Sequence, residues 1–392
     1  MVENKDKKVL NVPNLRFPEF EGEWEKCKLG DITQNFNRRN KEKIQYPMFS
    51  VTNERGFVPQ SEQFEGRDMV GDDIKAYKII QSQEFAYNPA RINVGSIAMY
   101  SGKAPCMISS LYVCFKTTQK VDDEWLMQLL KTAKLNYCYN VNGEGGVRVY
   151  LFYPNFARIR VSLPSLTEQK KIACFLNLLD ERISTQNKII EDLKKLKSAI
   201  IEIEYSSKTK TSSHIGDFIV QTSKRNKDNA IQTVLSVSNR QGFIQQSEQF
   251  ENRCVASDDT SNYKIVERND FAFNPARINV GSIARLITFE KGIVSPMYIC
   301  FRTKDYATPE YLDYFFESKL FFTEIQKRLE GSVRQCLSYE SLCNIPFPLL
   351  AIEVQQRIGK QLFTLAQKIK LETDFLEILH KQKQYLLRQM FI

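Results

Sequence analysis

The sequence predicts an α+β protein built from two tandem globular modules, each followed by a long helix. Three observations support this fold class: the chain repeats itself, strand-like and helix-like segments occur in each copy, and apolar residues recur at near-heptad spacing after each module. We expect the modules to be related by pseudo-twofold symmetry and the two helices to form an antiparallel coiled coil. The predicted boundaries are 1–160 for module one, 161–206 for the first helix, 207–346 for module two and 347–392 for the second helix.

The repeat has a period of 186 residues. Residues 49–98 and 235–284 are identical at 30 of 50 positions, without a gap. The same offset pairs two later motifs, and these are Gly145-x-Val147-Arg148 with Gly331-x-Val333-Arg334 and Gln169-x-x-Ile172 with Gln355-x-x-Ile358. The chain is therefore two copies of one unit.

The two copies diverge outside the matched stretch. Between residues 32 and 48 only 3 of 17 positions match the second copy, and between 99 and 143 only 7 of 45 match. Drifting surface loops would give this pattern, and so would two modules that recognise related but distinct ligands. Both explanations stay open at this point.

Each module combines strand-like and helix-like segments. Residues 109–117 and 297–303 are rich in β-branched and aromatic residues and predict strands. Residues 125–137 and 311–329 carry apolar residues at helical spacing and predict a helical segment in each copy. The shared stretch NPARINVG contains Asn-Pro, which argues against continuous helix there, and its glycine suggests a tight turn or a close backbone approach.

After Pro164 the pattern changes to a sustained near-heptad, and no proline or glycine interrupts residues 165–205. Spacings of three and four are typical of a coiled-coil seam, with one irregularity near Leu193. The predicted seam comprises Ile172, Leu176, Leu179, Ile183, Ile190 and Leu193 in the first helix, continuing through Leu196, Ile200 and Ile203, and Ile358, Leu362, Leu365, Ile369, Leu376 and Leu379 in the second, continuing to Leu386. Because the first helix leads into module two, the second must run back to bury its seam against the first. About 40 helical residues give a spacer of about 60 Å.

Composition bounds the function classes. A 392-residue chain with 42% hydrophobic residues can build real cores, and its 55 Lys plus Arg exceed its 46 Asp plus Glu to give a net charge of +9. This excess favours a polyanionic partner but does not identify one. Neither an apolar stretch of membrane-spanning length nor a secretory signal is present, so we expect a cytoplasmic protein with no membrane partner.

The residues offer little material for catalysis. Only two histidines occur, His214 and His380, and the nine cysteines form no C-x-x-C pair, so a zinc centre or a histidine-based triad is not expected. Phosphate-binding and dinucleotide-binding glycine motifs are missing, and no Pro-Asp accompanies the E-x-K triplets of the metal-nuclease type, such as those that begin at Glu168 and Glu317. The motif Asn88-Pro89-Ala90-Arg91 lacks the Pro-aromatic end of the Asn-Pro-Pro-aromatic motif of adenine methyltransferases. We therefore predict neither a catalytic site nor a metal site in this chain.

Side chains that contact DNA phosphates and base edges recur in both copies. Lys and Arg neutralise phosphates, whereas Arg on guanine and Asn or Gln on adenine recognise base edges. The candidates lie in a basic loop, in the NPAR turn and in the Gly-x-Val-Arg loop of each copy. They are Arg38, Arg39, Lys41, Arg91 and Arg148 in the first copy and Lys224, Arg225, Lys227, Arg277 and Arg334 in the second. A solvated turn explains any one of them equally well. Because Arg91 and Arg277 lie in the best-matched stretch, they indicate shared framework or backbone contact rather than discrimination between sites.

The whole chain resembles the specificity subunit of type I restriction-modification systems. Residues 12–32 resemble that family's opening, YNPARINVGSIA and FNPARINVGSIA resemble its target-recognition domain motif, and LPSLTEQKKI at 163–172 resembles the start of its spacer helix. The second helix start, FPLLAIEVQQRI at 347–358, departs from that motif by losing the Glu-Gln pair.

The resemblance implies two target-recognition domains, each recognising one half of a bipartite asymmetric DNA target, with the helices fixing the spacer. It implies a subunit that is not an enzyme by itself and binds none of the system's cofactors. Its partners would be double-stranded DNA, two modification subunits that methylate adenine N6 with S-adenosylmethionine, and restriction or motor subunits that use ATP and Mg²⁺. Exposed apolar residues on the spacer helices would be the docking surface.

Two other function classes remain as alternatives. A self-sufficient DNA methyltransferase or nuclease would modify or cut DNA as a purified chain. A structural coiled-coil adaptor would bind no duplex at low salt, even with partner subunits present.

Overall fold

A computed structural model of the protein describes residues 10–63, 74–145, 149–206, 213–239, 241–246, 259–331 and 335–392. The chain divides into two units. Unit 1 contains residues 1–186 and 375–392, and unit 2 contains residues 187–374. Both long helices are thereby divided between the units, a division that differs from the sequence-based boundaries.

Unit 1 is a mixture of short strands and helices. Its described strands are β1 (Glu25–Lys28), β2 (Thr33–Phe36), β3 (Phe49–Thr52), β4 (Gly56–Pro59), β5 (Lys78–Ile80), β6 (Phe85–Tyr87), β7 (Ile97–Met99), β8 (Cys106–Ile108), β9 (Val113–Thr117) and β10 (Arg160–Leu163). Its helices are α1 (Leu29–Ile32), α2 (Gln60–Gln63), α3 (Asp123–Leu130), α4 (Ala133–Asn142), α5 (Tyr153–Arg158) and the start of α6 (Leu166–Glu204), with 3-10 turns at Ile74–Ala76 and Ile92–Val94.

The central sheet of unit 1 is antiparallel, with the strand order β2-β9-β6-β7. Strands β3 and β4 form a hairpin, β5 pairs with β8, and a single parallel bridge between Met48 and Met107 links these two pairs. Strands β1 and β10 form a separate antiparallel pair. Strand β6 is buried on both faces, because Phe85 and Tyr87 face one core and Ala86 faces another.

Unit 2 repeats this plan. Its elements are α7 (Ile215–Phe218), β11 (Ile219–Thr222), β12 (Val234–Ser238), β13 (Gly242–Gln245), β14 (Lys264–Glu267), β15 (Phe271–Phe273), a 3-10 turn (Ile278–Val280), β16 (Ile283–Arg285), β17 (Lys291–Val294), β18 (Ile299–Thr303), α8 (Pro309–Phe315), α9 (Lys319–Arg328), α10 (Tyr339–Cys343) and α11 (Ile352–Met390), whose end belongs to unit 1. The sheet orders are β11-β18-β15-β16 and β13-β12-β17-β14. Strands β12 and β17 pair in parallel at the positions that correspond to Met48 and Met107. The sequence repeat is therefore also a structural repeat.

The segments predicted to be helical at 125–137 and 311–329 are helical, and each consists of two helices. Thr132 ends α3 and caps α4, because its hydroxyl accepts from Leu135 N and donates to Leu129 O. Ser318, which occupies the equivalent position, makes the same pair of bonds between α8 and α9. A hydroxyl side chain at this position favours a new helix start over continuation of the previous helix.

Stacked aromatic residues form the centre of each unit. Phe85 and Phe115 stack with ring centroids 4.9 Å apart in unit 1, and Phe271 and Phe301 stack at 5.1 Å in unit 2. All four side chains are fully buried. They lie on neighbouring strands of the central sheet, where directly opposed aromatic residues stabilise the pairing.

The end of a long helix completes each core. In unit 2 the ring of Tyr205, just after α6, packs 4.8 Å from that of Tyr311, and its hydroxyl donates to the Tyr311 carbonyl oxygen. In unit 1 the ring of Phe391, just after α11, packs 5.8 Å from that of Trp125. Phe391 and Trp125 occupy the positions equivalent to Tyr205 and Tyr311. Each unit therefore contains the start of one long helix and the end of the other.

Within unit 1 the two long helices run antiparallel. Lys383 of α11 forms an ion pair with Asp180 of α6, and Arg182 of α6 lies over the Phe375 ring of α11, with 5.4 Å between guanidinium and ring centroid. As the residue numbers rise along one helix, those of their partners fall along the other. The predicted direction of the second helix is therefore confirmed.

The twelve predicted seam residues from Ile172 to Leu193 and from Ile358 to Leu379 are all buried or half-buried. Extension of the first stripe beyond Leu193 was wrong at Leu196 and Ile203, which are 51% and 73% exposed, whereas Ile200 is half-buried and packs against the core of unit 2. Ile201 and Tyr205 are buried instead. After the spacing irregularity near Leu193, the buried positions lie one residue later along α6 than the heptad predicts. The last turns of α6 pack into unit 2.

Both long helices begin at a buried glutamine. Gln169 accepts from Asp122 N at 2.8 Å and donates to the carbonyl oxygens of Lys120 and Pro164. Gln355 makes the three equivalent bonds in unit 2. The departure expected at this motif is therefore restricted to Glu168, which corresponds to Val354, and the glutamine keeps its position and its bonds.

Glu168 has a separate role that exists only in unit 1. Its carboxylate accepts two bonds of 2.8 Å from Arg16 and one from Trp24 Nε1. These contacts anchor the segment that precedes β1 to the start of α6. Within the described ranges, no helix is long and apolar enough to cross a membrane.

Candidate nucleic-acid interface

The NPAR turn is the same rigid structure in both units. The Asn88 side-chain oxygen accepts from Ala90 N at 3.0 Å, and the Asn274 oxygen accepts from Ala276 N at 3.1 Å. Each turn then passes through a 3-10 turn and closes at a glycine in the left-handed region, Gly95 with φ 94° and Gly281 with φ 87°. A side chain at this φ would be strained, which explains the glycine.

These turns present one arginine each to solvent. The backbone oxygens of Arg91 and Arg277 accept bonds from within the turn, whereas both side chains are exposed. Neither guanidinium forms an ion pair with any residue that the structure describes. A closed backbone with a free cation on its surface is suited to contact an external anion or base edge.

Arg148 and Arg334 lie outside the described residues, so their positions remain predictions. The residues on either side of them are described, and there Glu144 pairs with Tyr150 and Glu330 with Cys336. Immediately after each pair, a backbone N–H donates to the proline carbonyl of the NPAR turn, from Leu151 to Pro89 and from Leu337 to Pro275. The segment that follows each predicted loop is therefore attached to the turn that carries Arg91 or Arg277.

A buried asparagine shapes the basic loop of each unit. The Asn40 side chain donates to Ile44 O and accepts from Ile44 N, and Asn226 makes the corresponding two bonds to Ile231. The asparagines are 1% and 0% exposed, whereas the cations on either side of them face solvent. These exposed cations are Arg39 and Lys41 in unit 1 and Arg225 and Lys227 in unit 2.

Arg38 and Lys224 occupy equivalent positions but differ in their surroundings. Arg38 donates two bonds, of 2.9 and 2.8 Å, to the buried carboxylate of Glu84, and its guanidinium lies 5.1 Å from the Phe36 ring centroid. In unit 2 the equivalent carboxylate, Asp270, pairs instead with Arg302 at 3.0 Å. Burial raises the pKa of Asp270, and the hydrogen bonds that it accepts oppose this rise. Lys224 is left exposed.

In unit 2 the predicted loop cations line one groove. Lys224, Arg225 and Lys227 line a depression of about 650 Å³ together with Lys291, which the sequence analysis did not single out. Lys291 has Pro105 as its counterpart in unit 1, so this fourth cation is specific to unit 2. Its position in the poorly matched part of the repeat is the only sequence signal for it.

A second cleft lies beside Arg277. It measures about 290 Å³, and its polar lining includes Asn239, Gln246, Asn274 and Ser295. Sequence reasoning singled out the arginine and missed Asn239 and Gln246, the amides that directly follow β12 and β13, because neither belongs to a basic cluster. Within the described parts of the chain, no three His, Cys, Asp or Glu residues are grouped as metal ligands.

Comparison with known proteins gives concordant results. Residues 21–195 match the family described as type I restriction modification DNA specificity domain. Over 96% of its length, the chain is similar to a protein of Methanocaldococcus jannaschii that is named as the MjaX type I restriction enzyme specificity subunit. The two are 24% identical over 413 aligned residues, which cover 93% of that protein. Residues 21–195 thus match the type I DNA specificity domain, and the chain as a whole is similar to a type I restriction-modification specificity subunit. The predicted resemblance to these DNA-recognition subunits, which are not themselves catalytic, is confirmed.

Solved structures show that specificity subunits share this fold. The crystal structure of the type I restriction-modification system S subunit from M. genitalium superimposes with a TM-score of 0.61 at 14% identity, covering 97% of this chain and 99% of the other. A chain from a structure on complex assembly and conformational transition of the type I system gives a TM-score of 0.54 at 14% identity, with 93% and 96% covered. The predicted fold class, two α+β domains with two long helices, is confirmed.

Proposed function

We propose that each unit recognises one half of a bipartite asymmetric DNA target and that the two long helices fix the length of the unspecified spacer. The observation that carries this proposal is the duplication of one framework under two different surfaces. The NPAR turn, the buried loop asparagine and the helix-starting glutamine recur bond for bond, whereas the basic groove with Lys291 belongs to unit 2 alone. Two related but non-identical domains suit two different half-targets.

The exposed cations of the basic loops serve as phosphate contacts in this proposal. Arg39 and Lys41 in unit 1 and Lys224, Arg225 and Lys227 in unit 2 are side chains of the type that neutralises backbone phosphates and positions a domain on the duplex. Arg38 is the exception, because Glu84 already compensates its charge. Arg148 and Arg334 remain candidates for contacts in the grooves.

Exposed apolar residues on the long helices are the proposed docking surface for modification subunits. Ile189, Leu196 and Ile203 follow one another at intervals of seven on α6, as do Leu371, Ile378 and Tyr385 on α11, and each is at least 39% exposed. A stripe with heptad spacing is typical of a seam that binds a further helix. We propose that this chain binds none of the system's cofactors. S-adenosylmethionine would bind to the two modification subunits, and ATP and Mg²⁺ to the restriction or motor subunits.

Shortening both helices by one heptad tests the spacer proposal. Residues 187–193 of α6 and 368–374 of α11 would be deleted together, which shortens the helices by about 10 Å, or about three base pairs of duplex. The modified target would be mapped from methylated adenines in cells that also produce the modification subunits. We expect both half-targets to persist with a shorter spacer. An unchanged spacer in the deletion variant would contradict the proposal, and a full-length Lys194→Ala, Lys195→Ala variant serves as the control.

The docking surface is tested separately by Ile378→Ser with Tyr385→Ser. We expect the double variant to fold normally and to lose association with modification subunits in size-exclusion chromatography, while Lys368→Ala retains it. Methylation or cleavage of DNA by the purified chain alone would favour the self-sufficient enzyme. Failure of the complex to bind any duplex at low salt would favour the structural adaptor.

A further inference from the structure

The cleft beside Arg277 is built from residues that the two copies share. Its polar lining in unit 2 includes Asn239, Gln246, Asn274, Arg277, Ser295 and Tyr298, besides Ser236, Ser238, Tyr263 and Ser282. The first six have the same residue types 186 positions earlier, at Asn53, Gln60, Asn88, Arg91, Ser109 and Tyr112. Of these six, the serine and the tyrosine lie in a stretch where only 7 of 45 positions match, so their identity is not explained by the general similarity of the copies.

The framework under the cleft is held in the same way in both units. The Tyr112 hydroxyl accepts from Val51 N at 3.1 Å while Ser96 donates to Val51 O at 2.7 Å. In unit 2, Tyr298 and Ser282 make the equivalent bonds to Val237, at 3.3 and 3.2 Å. The backbone of the strand that leads to Asn53 or Asn239 is thereby fixed against the NPAR turn. These internal bonds use Tyr112 and Ser96 in unit 1 and Tyr298 and Ser282 in unit 2. They leave the arginine and the exposed asparagine of each unit for a ligand.

The chemistry of the lining favours a base edge over a phosphate. A phosphate accepts hydrogen bonds only, so a phosphate site needs donors and gains from several cations. Here the described lining of the unit 2 cleft has one cation, no carboxylate and several amides, and an amide both donates and accepts. In unit 1 the Gln60 side-chain oxygen is buried without a hydrogen-bond partner among the described residues. Arg, Asn and Gln are the side chains that form bidentate bonds with base edges.

We propose that the unit 2 cleft and the equivalent residues of unit 1 recognise the same base, one in each half-target, whereas the divergent surfaces recognise the bases that distinguish the halves. This inference rests on the bipartite recognition proposed above and goes beyond it, because it predicts a position at which the two half-targets are alike. Arg91 and Arg277 are the residues that read this base, with Asn53 and Asn239 beside them.

The test uses the full chain in complex with its modification subunits. Duplexes would carry the methylated target mapped for the wild-type complex, and each base pair of each half would be replaced in turn. We expect Arg277→Ala to weaken discrimination at one position of one half-target by roughly 5- to 150-fold, the loss of one bidentate base contact. Arg91→Ala should do the same at a position with the same base in the other half. Lys should not rescue either arginine fully, because an ammonium cannot form the planar bidentate contact.

Uniformly weaker binding to all duplexes, together with a smaller salt dependence and rescue by Lys, would overturn the inference and make each arginine a phosphate contact. Unaltered discrimination would overturn it as well. Failure of the wild-type complex to recognise any bipartite target would instead remove the proposed function and this inference with it. Arg158→Ala and Arg268→Ala, exposed arginines of unit 1 and unit 2 outside the cleft and its unit 1 equivalent, are matched controls that should leave discrimination unchanged.

Discussion

Gln355 shows how one buried side chain orients a long element. Its amide joins three backbone groups of the segment before α8 and of the turn before α11, and Gln169 does the same in unit 1. The repeated motif predicted the importance of this position, but only the structure shows the backbone partners, two of which lie 47 and 49 residues away in sequence. One side-chain amide can hydrogen-bond to three backbone groups at once, whereas an apolar side chain of the same size can bond to none.

Replacing Gln355 by Leu should lower the free energy of unfolding by about 2–4 kcal/mol, because buried backbone groups lose their partners. The neighbouring Gln356 is exposed, so Gln356→Leu is the matched control and should change the stability by less than about 0.5 kcal/mol. Urea unfolding followed by circular dichroism measures both. Equal stability of the two variants would mean that water replaces the lost bonds.

Arg285 of unit 2 is a buried cation in a position where unit 1 has an apolar residue. Its guanidinium is 4% exposed and pairs with Asp313 at 3.2 Å and with Glu310. The equivalents of Arg285 and Asp313 in unit 1 are Met99 and Met127. The two copies therefore use an ion pair and an apolar pair at the same place. The two replacements are coupled, because exchange of Arg285 alone would leave the Asp313 carboxylate without its partner, and exchange of Asp313 alone would leave Arg285 with Glu310 only.

The stability of unit 2 should depend on pH through Asp313. Burial raises the pKa of its carboxyl from the ordinary 3.8 to about 6, so the native state holds this proton more tightly than the unfolded chain does. The resulting stabilisation is complete below about pH 4 and is lost as the pH rises through 6. Asp313→Asn should therefore lose less stability than wild type between pH 4.5 and 7.5 in urea unfolding.

The double exchange Arg285→Met with Asp313→Met removes the same pH dependence and should be neutral or stabilising at pH 7. Arg285→Met alone should be the least stable variant at pH 7. If wild type and Asp313→Asn show parallel pH profiles, Asp313 does not titrate between pH 4 and 6.

At the scale of elements, periodicity predicted the long helices well and the short ones less well. The first long helix was expected without interruption over 165–205 and spans Leu166–Glu204. The break between α3 and α4 was missed, because apolar spacing continues across Thr132 while the hydroxyl cap that starts α4 depends on local backbone geometry. The ion pair between Glu84 and Arg38 could likewise not be predicted from the spacing of apolar residues, since it depends on burial by strands that are distant in sequence.

Substitutions in the last turns of α6 can test whether the buried face shifts there or whether the heptad pattern continues. Ile201 is 2% exposed and Ile203 is 73% exposed, although strict continuation of the heptad would bury Ile203. Ile201→Ala should therefore cost about 2–4 kcal/mol of stability, and Ile203→Ala less than about 0.5 kcal/mol. Chemical denaturation of the two variants measures the difference. A larger loss of stability in the Ile203→Ala variant would show instead that the heptad seam continues to the end of α6.

At the scale of the whole molecule, the repeat predicted two similar units, but the division of each long helix between them did not follow from it. Periodicity identifies the seam, whereas the partner of each seam residue depends on the tertiary fold. Because both α6 and α11 belong partly to each unit, the units cannot unfold without disturbing a shared helix.

Tryptophan fluorescence can test this coupling, because both tryptophans, Trp24 and Trp125, are buried in the core of unit 1. Leu312 is fully buried in the core of unit 2. We expect Leu312→Ala to lower the unfolding midpoint measured by tryptophan fluorescence as much as the midpoint measured by circular dichroism. An unchanged fluorescence midpoint would show that the two units unfold independently.

The closing aromatic residue of unit 1, Phe391, also affects the order of events during synthesis. A ribosome makes residues 187–374 before residues 375–392, and domains generally fold as units while the chain emerges. Unit 2 thus has all of its residues before unit 1 does, although unit 1 begins first. The core of unit 1 therefore lacks Phe391 beside Trp125 until all of unit 2 has been translated.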